Sequence, residues 1–144
     1  MSGLAALLAG RMKPGIYRWH AMFEAQDVQH TVELAGWRFA HYSGWVHTEG
    51  QEVLAGLGAS LALPDHCGGD LDALAGCLDE VVADGSKGAL LLWDGWAPFA
   101  RADGEAFSTT LGVFGARVDA GDGRPFAVLL RGDGAETADL PSLD

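Results

Sequence analysis

His66 and Cys67 stand side by side, Asp70 and Asp72 follow a pair of glycines, and Cys77 comes soon after. An imidazole, two thiols and two carboxylates so close together raise three kinds of chemistry. A histidine can activate a cysteine nucleophile, but that pairing is made in space, neighbours in sequence rarely meet, and no third group is evident. A metal site could draw on His66, Cys67, Asp70 and Asp72, with His41 and His47 earlier. No paired Cys-x-x-Cys or His-x-x-x-His spacing is present, and Asp70-Leu71-Asp72 lacks the rest of a calcium loop. Gly68-Gly69 ahead of a helix suggests an anion cradle. There is no GxGxxG and no Walker lysine, and Asp70 and Asp72 would repel a phosphate. Neither a catalytic residue nor a cofactor or metal is therefore expected. What remains is recognition by carboxylates.

The stretch Leu63 to Glu80 must position those carboxylates. Pro64, Gly68 and Gly69 mark a loop that runs into an amphipathic helix. Asp70 falls at the N-cap, where its side chain can accept from the free N–H groups of the first turn. Asp72 adds negative charge at the positive end of the helix dipole. Leu71, Leu74, Leu78 and Val82 share one apolar face. Asp72, Gly76 and Asp79 form a separate stripe toward solvent.

The whole chain is acidic. Nine Lys and Arg against twenty Asp and Glu give a net charge of −11 over 144 residues. Such a chain repels nucleic acid and anionic membranes and attracts a basic partner. Its length suits a single domain. The first apolar run, Leu4 to Ala9, is too short to span a bilayer, and with no basic residue before it and no convincing cleavage site it does not read as a signal peptide. The expected compartment is the cytoplasm, with Cys67 and Cys77 reduced; a bridge between them is possible but not implied.

Other elements follow from pattern. Ser2 to Ala9 and Phe23 to Leu34 suggest helices, and Ile16 to Trp19 is a short strand-like run. Trp37 to Tyr42 reads as a strand, and Thr48 to Gln51 fits a capping box ahead of a helix through Val53, Leu54, Leu57 and Leu61. Ala89 to Trp93 and Phe126 to Leu130 are wholly apolar, the pattern of strands covered on both faces. Phe107, Leu111, Phe114 and Val118 recur at helical spacing across Gly104 to Val118. Strands alternating with helices predict an α/β fold with a small parallel sheet. Of the five tryptophans, Trp37 and Trp93 belong to strands and are expected in the core, whereas Trp19, Trp45 and Trp96 lie near loops, where a partly exposed ring can anchor a partner, although core or edge packing is the favoured reading for each.

The segment from Leu61 through Leu63-Pro64, Gly68, Leu71-Asp72-Ala73-Leu74 and Cys77-Leu78 resembles the signature of the barstar family, small intracellular inhibitors of barnase-type secreted ribonucleases. That signature is Leu-Pro, an aromatic pair, Gly, a polar pair, Leu or Trp, Asp-Ala-Leu and Cys-Leu. The resemblance continues in order through Trp37 to His41, Ala89 to Trp93, Leu111 to Phe114 and Pro125 to Leu130. It implies a sheet of about three parallel strands packed by helices, with the loop and acidic helix plugging the ribonuclease's active site. His66 and Cys67 stand at the family's aromatic pair, and Gly68, Asp70, Leu71 and Asp72 at further contact positions. Ala75 stands where tryptophan is common. Gly76 stands at the principal inhibitory aspartate, and Ser108 at a second acidic position, with Glu105 one turn before it.

The resemblance divides the chain into an N-terminal extension (1–34) packing on the domain, a barstar-like domain (35–131) and an acidic, flexible tail (132–144). The expected partner is a basic extracellular-type ribonuclease or similar toxin, bound by a protein that is monomeric when free. Asp79 and Glu105 would support Asp72 in an acidic patch. With glycine at 76 and serine at 108, the alternative is a non-inhibitory interaction module on the same fold.

Overall fold

The computed structural model describes residues 2–78, 86–119, 124–132 and 140–143. Four strands form one sheet: β1 (Ile16–Trp19), β2 (Arg38–Ser43), β3 (Ala89–Asp94) and β4 (Phe126–Arg131). Their order is β1-β4-β3-β2, and every pairing is parallel. The sheet therefore has one strand more than the expected three or so. Ile16–Trp19 is only four residues long, yet it pairs residue for residue with Val128 to Arg131 along the outer edge of β4. Residues 140–143, in the segment expected to be a flexible tail, run beside β1. Arg18 N–H donates to Pro141 O, Leu143 N–H donates to Arg18 O, and Leu143 is buried.

The central strands are apolar because both faces are covered. On one face Leu91, Trp93, Phe126, Val128 and Leu130 meet residues of α3 (Gly50–Ser60), α4 (Leu71–Cys77), α5 (Ala97–Ala102) and α6 (Gly104–Asp119). On the other, Leu90, Leu92, Ala127 and Leu129 meet α1 (Ser2–Leu8) and α2 (Ala25–Leu34) through Leu4, Leu7, Val28 and Val32. The residues ahead of Trp37 thus supply an edge strand and cover the second face.

Two of the tryptophans near loops take the favoured core reading. Trp19 and Trp96 are fully buried. Trp96 directly follows Gly95, whose φ of +73° turns the chain sharply, and its ring stacks on Phe107 at 5.4 Å between centroids. It is a core residue, which removes it from the alternative of an exposed anchor. Trp45 remains open to solvent.

The end of α3 sets the entry to the candidate site. Ala62 N–H donates to Ala59 O, and Leu63 N–H donates to Gly58 O. This is the Schellman closure, which usually places glycine at the left-handed position. Here that position is Ala62, at φ +56°. Ala62→Gly removes the clash between Cβ and backbone and is expected to stabilise the chain by up to about 1 kcal/mol. Urea midpoints of the two proteins check it; an unchanged or lowered midpoint contradicts the strain.

Candidate functional site

The loop after Pro64 folds as a single 3-10 turn, Asp65–Gly68, against α3. The approach is close. A Cβ on Gly68 would lie 3.0 Å from Ala55 Cα, so a side chain there would push the turn away from α3. α4 then starts as its sequence predicts. Asp70 is extended, and its Oδ1 accepts from Ala73 N–H at 2.7 Å. Leu74 and Leu78 are buried, whereas Asp65, His66, Asp70, Asp72, Ala75 and Gly76 are exposed. Gly68 and Leu71 are half-buried at the margin. Asp79 and Val82 lie outside the described residues.

Cys67 and Cys77 form a disulfide between the turn and the end of α4, with Cα atoms 6.1 Å apart. This corrects the expectation of two reduced thiols. It also corrects the role expected of Cys67, which is fully buried: it holds the loop to the helix and does not line the surface. The spacing of ten residues brings the sulfurs together only because the 3-10 turn folds the loop back beside α4. His66 covers the bridge, with Nε2 3.6 Å from Cys67 Sγ and 3.8 Å from Cys77 Sγ. Those three ligand atoms lie within 4.8 Å of one another, the one cluster of this kind among the described residues. The bridge occupies both sulfurs, so in this form neither a thiolate nucleophile nor a thiolate metal ligand is available.

α6 runs beside α4, and Ala75, Leu78, Thr109, Gly112 and Val113 line a shared groove. Glu105 and Ser108 are exposed near the start of α6. Asp103 opens that helix by accepting from Ala106 N–H at 3.1 Å. The two elements named from the sequence are thus neighbours in space, and both present carboxylates to solvent.

The model of the family described as Barstar (barnase inhibitor) matches residues 37–131. The chain belongs to the barstar family. The match spans β2 to β4 and includes the 3-10 turn, α4 and α6; α1, β1 and α2 precede it. No curated protein matches the chain. Among solved structures it is similar to the ORC2 protein of Aeropyrum pernix, in ADPNP–ADP complexes. The TM-score is 0.63 at 14% identity, over 92% of this chain and 40% of that one. At that identity the likeness shows the fold alone. Among the described residues no helix is long and apolar enough to cross a membrane.

A second constellation was not found from the sequence. His41 of β2, Asp94 of β3 and Arg131 of β4 meet at the carboxyl ends of their strands. Arg131 Nε and Nη2 donate to Asp94 Oδ1 and Oδ2 at 2.6 and 2.9 Å, and His41 Nε2 lies 2.8 Å from Asp94 Oδ2. Burial alone would raise the Asp94 pKa, but the hydrogen bonds and charges of His41 and Arg131 outweigh it and hold it below the ordinary value. A signal did exist. β3 and β4 both end as an apolar run, one charged residue and a glycine: Asp94-Gly95 and Arg131-Gly132. In adjacent parallel strands that repeat places opposite charges side by side.

Proposed function

We propose that this barstar-family chain binds a basic ribonuclease, or a similar basic toxin, and inhibits it by occlusion. The reading rests on one observation: the turn and helix that carry the family signature turn one face to solvent, with Asp65, Asp70 and Asp72 exposed, and set Leu74 and Leu78 into the core on the other. The carboxylates would occupy the sites of RNA phosphates in the ribonuclease. No bond is made or broken, so the protein acts as a binding partner and not as an enzyme. A net charge of −11 steers a basic partner toward it. Asp72 is the principal contact and Asp70, Asp79 and Glu105 support it. His66, Gly68, Leu71, Ala75, Gly76 and Ser108 complete the surface. We place the protein in the cytoplasm, monomeric when free, in an immunity role against a secreted bacterial toxin.

The test is inhibition of RNA cleavage by a basic barnase-type ribonuclease. Hot-spot side chains contribute about 2 kcal/mol or more; barnase–barstar is itself among the complexes behind that rule. Asp72→Ala should therefore weaken inhibition by about 30-fold. Gly76→Asp should strengthen it in the same assay. A Cβ at Gly76 meets nothing within 4 Å, and aspartate is mildly favoured over glycine in a helix. Wild-type affinity should also fall as salt rises. If both variants inhibit like the wild type and added salt changes nothing, the acidic-plug mechanism is wrong.

A further inference from the structure

A second surface shares no residue with the acidic turn and helix. In open parallel sheets, ligands bind beyond the carboxyl ends of the strands, where departing loops leave a crevice. Here β1, β2, β3 and β4 end at Trp19, Ser43, Asp94 and Arg131. Beyond them lies a pocket of about 520 Å³, lined by Trp19, Phe23, His41, Trp45, Asp94 and Arg131 among others. That is the volume of a small-molecule site.

Its rim is built, not merely exposed. Met22 (96% exposed), Phe23 and Trp45 (52%) all line this pocket, although most large apolar side chains are buried. Trp45 is seated on two glycine turns. Gly95 and Gly132 have φ of +73° and +125°, and a Cβ on either would lie 2.7 Å from the indole. Only glycine permits both the left-handed backbone and the close approach. On the opposite wall, Arg131 Nη1 donates to the carbonyls of Ala21 and Phe23 and fixes the segment that carries the rim.

The floor decides the ligand class. Arg131 is committed to Asp94 and to those two carbonyls, and Asp94 is committed to Arg131 and His41. The Asp94 and Arg131 charges cancel, so the floor itself matches neither an anion nor a cation; the other carboxylate lining the pocket, Glu24, is exposed at its rim. Because Asp94 accepts, His41 Nε2 is the donor in that contact, and whenever the ring carries a single proton Nδ1 is left as an acceptor. Among the described residues His41 has no second hydrogen-bond partner, and a third of its side chain is open to solvent. We propose that the pocket binds an uncharged, planar aromatic small molecule bearing one N–H or O–H group. The ring packs on Trp45 and Phe23, and the donor meets His41 Nδ1.

The test titrates indole, 1-methylindole and benzoate into isotopically labelled full-length chain, read by NMR. Indole should give saturating shifts at the Trp45 indole N–H and at the Gly95 and Gly132 amides, with an affinity on the order of 1 mM. 1-Methylindole, which lacks the donor, should bind about 10-fold more weakly. The Trp45→Ala chain, altered at a half-exposed position, should lose the response. The proposal is overturned if no probe saturates, if 1-methylindole or benzoate binds as well as indole, or if the shifts fall on residues 65–77 instead.

Discussion

Asp94→Ala is expected to lower the unfolding free energy by about 3–5 kcal/mol, the usual cost of stranding one member of a buried ion pair. Asp94 is nine-tenths buried, and its side chain and that of Arg131 are only 12% and 14% exposed. Removing the carboxylate leaves a guanidinium held in the interior with two carbonyls and the face of Trp19 as its remaining partners. It also unties His41, so the carboxyl ends of β2, β3 and β4 lose their common partner together. Asp94→Asn keeps the shape and should cost less. The pH dependence has a definite sign. A carboxylate whose folded pKa is depressed contributes stability that is complete above its unfolded pKa, near 4, and is lost as pH falls through the lower folded value. Wild-type stability should therefore decline below about pH 4, and Asp94→Asn should lack that part of the decline. Denaturant titrations of the three chains across acidic pH check this. An Asp94→Ala chain within 1 kcal/mol of the wild type, on the order of a surface substitution, contradicts it.

Reducing the Cys67–Cys77 bridge is expected to cost about 2.7 kcal/mol by the loop-closure relation for ten residues. The local consequence should exceed the global one. α4 has seven residues, too few to hold helical structure unaided. Its position depends on Leu74, Leu78 and the bridge to the 3-10 turn. With the bridge open, Asp70, Asp72 and Gly76 are no longer tied to the turn that carries Asp65 and His66. A dithiol reductant should thus lower the denaturation midpoint and speed amide exchange at Ala73 to Gly76 before it affects β3 or β4. Equal midpoints with and without reductant would show that the bridge contributes nothing. In a reducing cytoplasm the proposed inhibitor would work in this looser form, and its affinity for a ribonuclease should be measured in both states.

The legible parts of the fold were those written in local pattern. The apolar runs at Ala89 to Trp93 and Phe126 to Leu130 announced buried parallel strands. The spacing of Phe107, Leu111 and Phe114 announced α6. Asp70 ahead of Leu71 announced the capped helix, and the carboxylate of Asp70 does cap it. The capping box expected at Thr48 did not form: the residue before α3 is Glu49, with no side-chain cap, and α3 is held by Val53, Leu54 and Leu57 instead. Ile16 to Trp19 was too short to declare itself a strand, because its stability comes from pairing with β4 across more than a hundred residues of chain. The disulfide was undecidable because a loop cysteine and a helix cysteine meet only once the turn has folded. Core packing is the favoured reading for Trp96, but nothing local names Phe107 as its partner, because Gly95 turns the chain there. His41, Asp94 and Arg131 meet only through strand register, which places Asp94 between Ser43 and Arg131.

The acidic face of the turn and α4 is the centre of the functional reading, and a footprint tests it most directly. Hydrogen exchange would be followed across the full chain, alone and mixed with a basic barnase-type ribonuclease at low salt. The predicted result is a one-to-one complex in which amides of Asp65 to Gly76 and of the first turn of α6 are protected, with the protection fading as salt is added. No complex, or protection centred on Trp45 and the carboxyl ends of the strands with residues 65–76 unchanged, would contradict it.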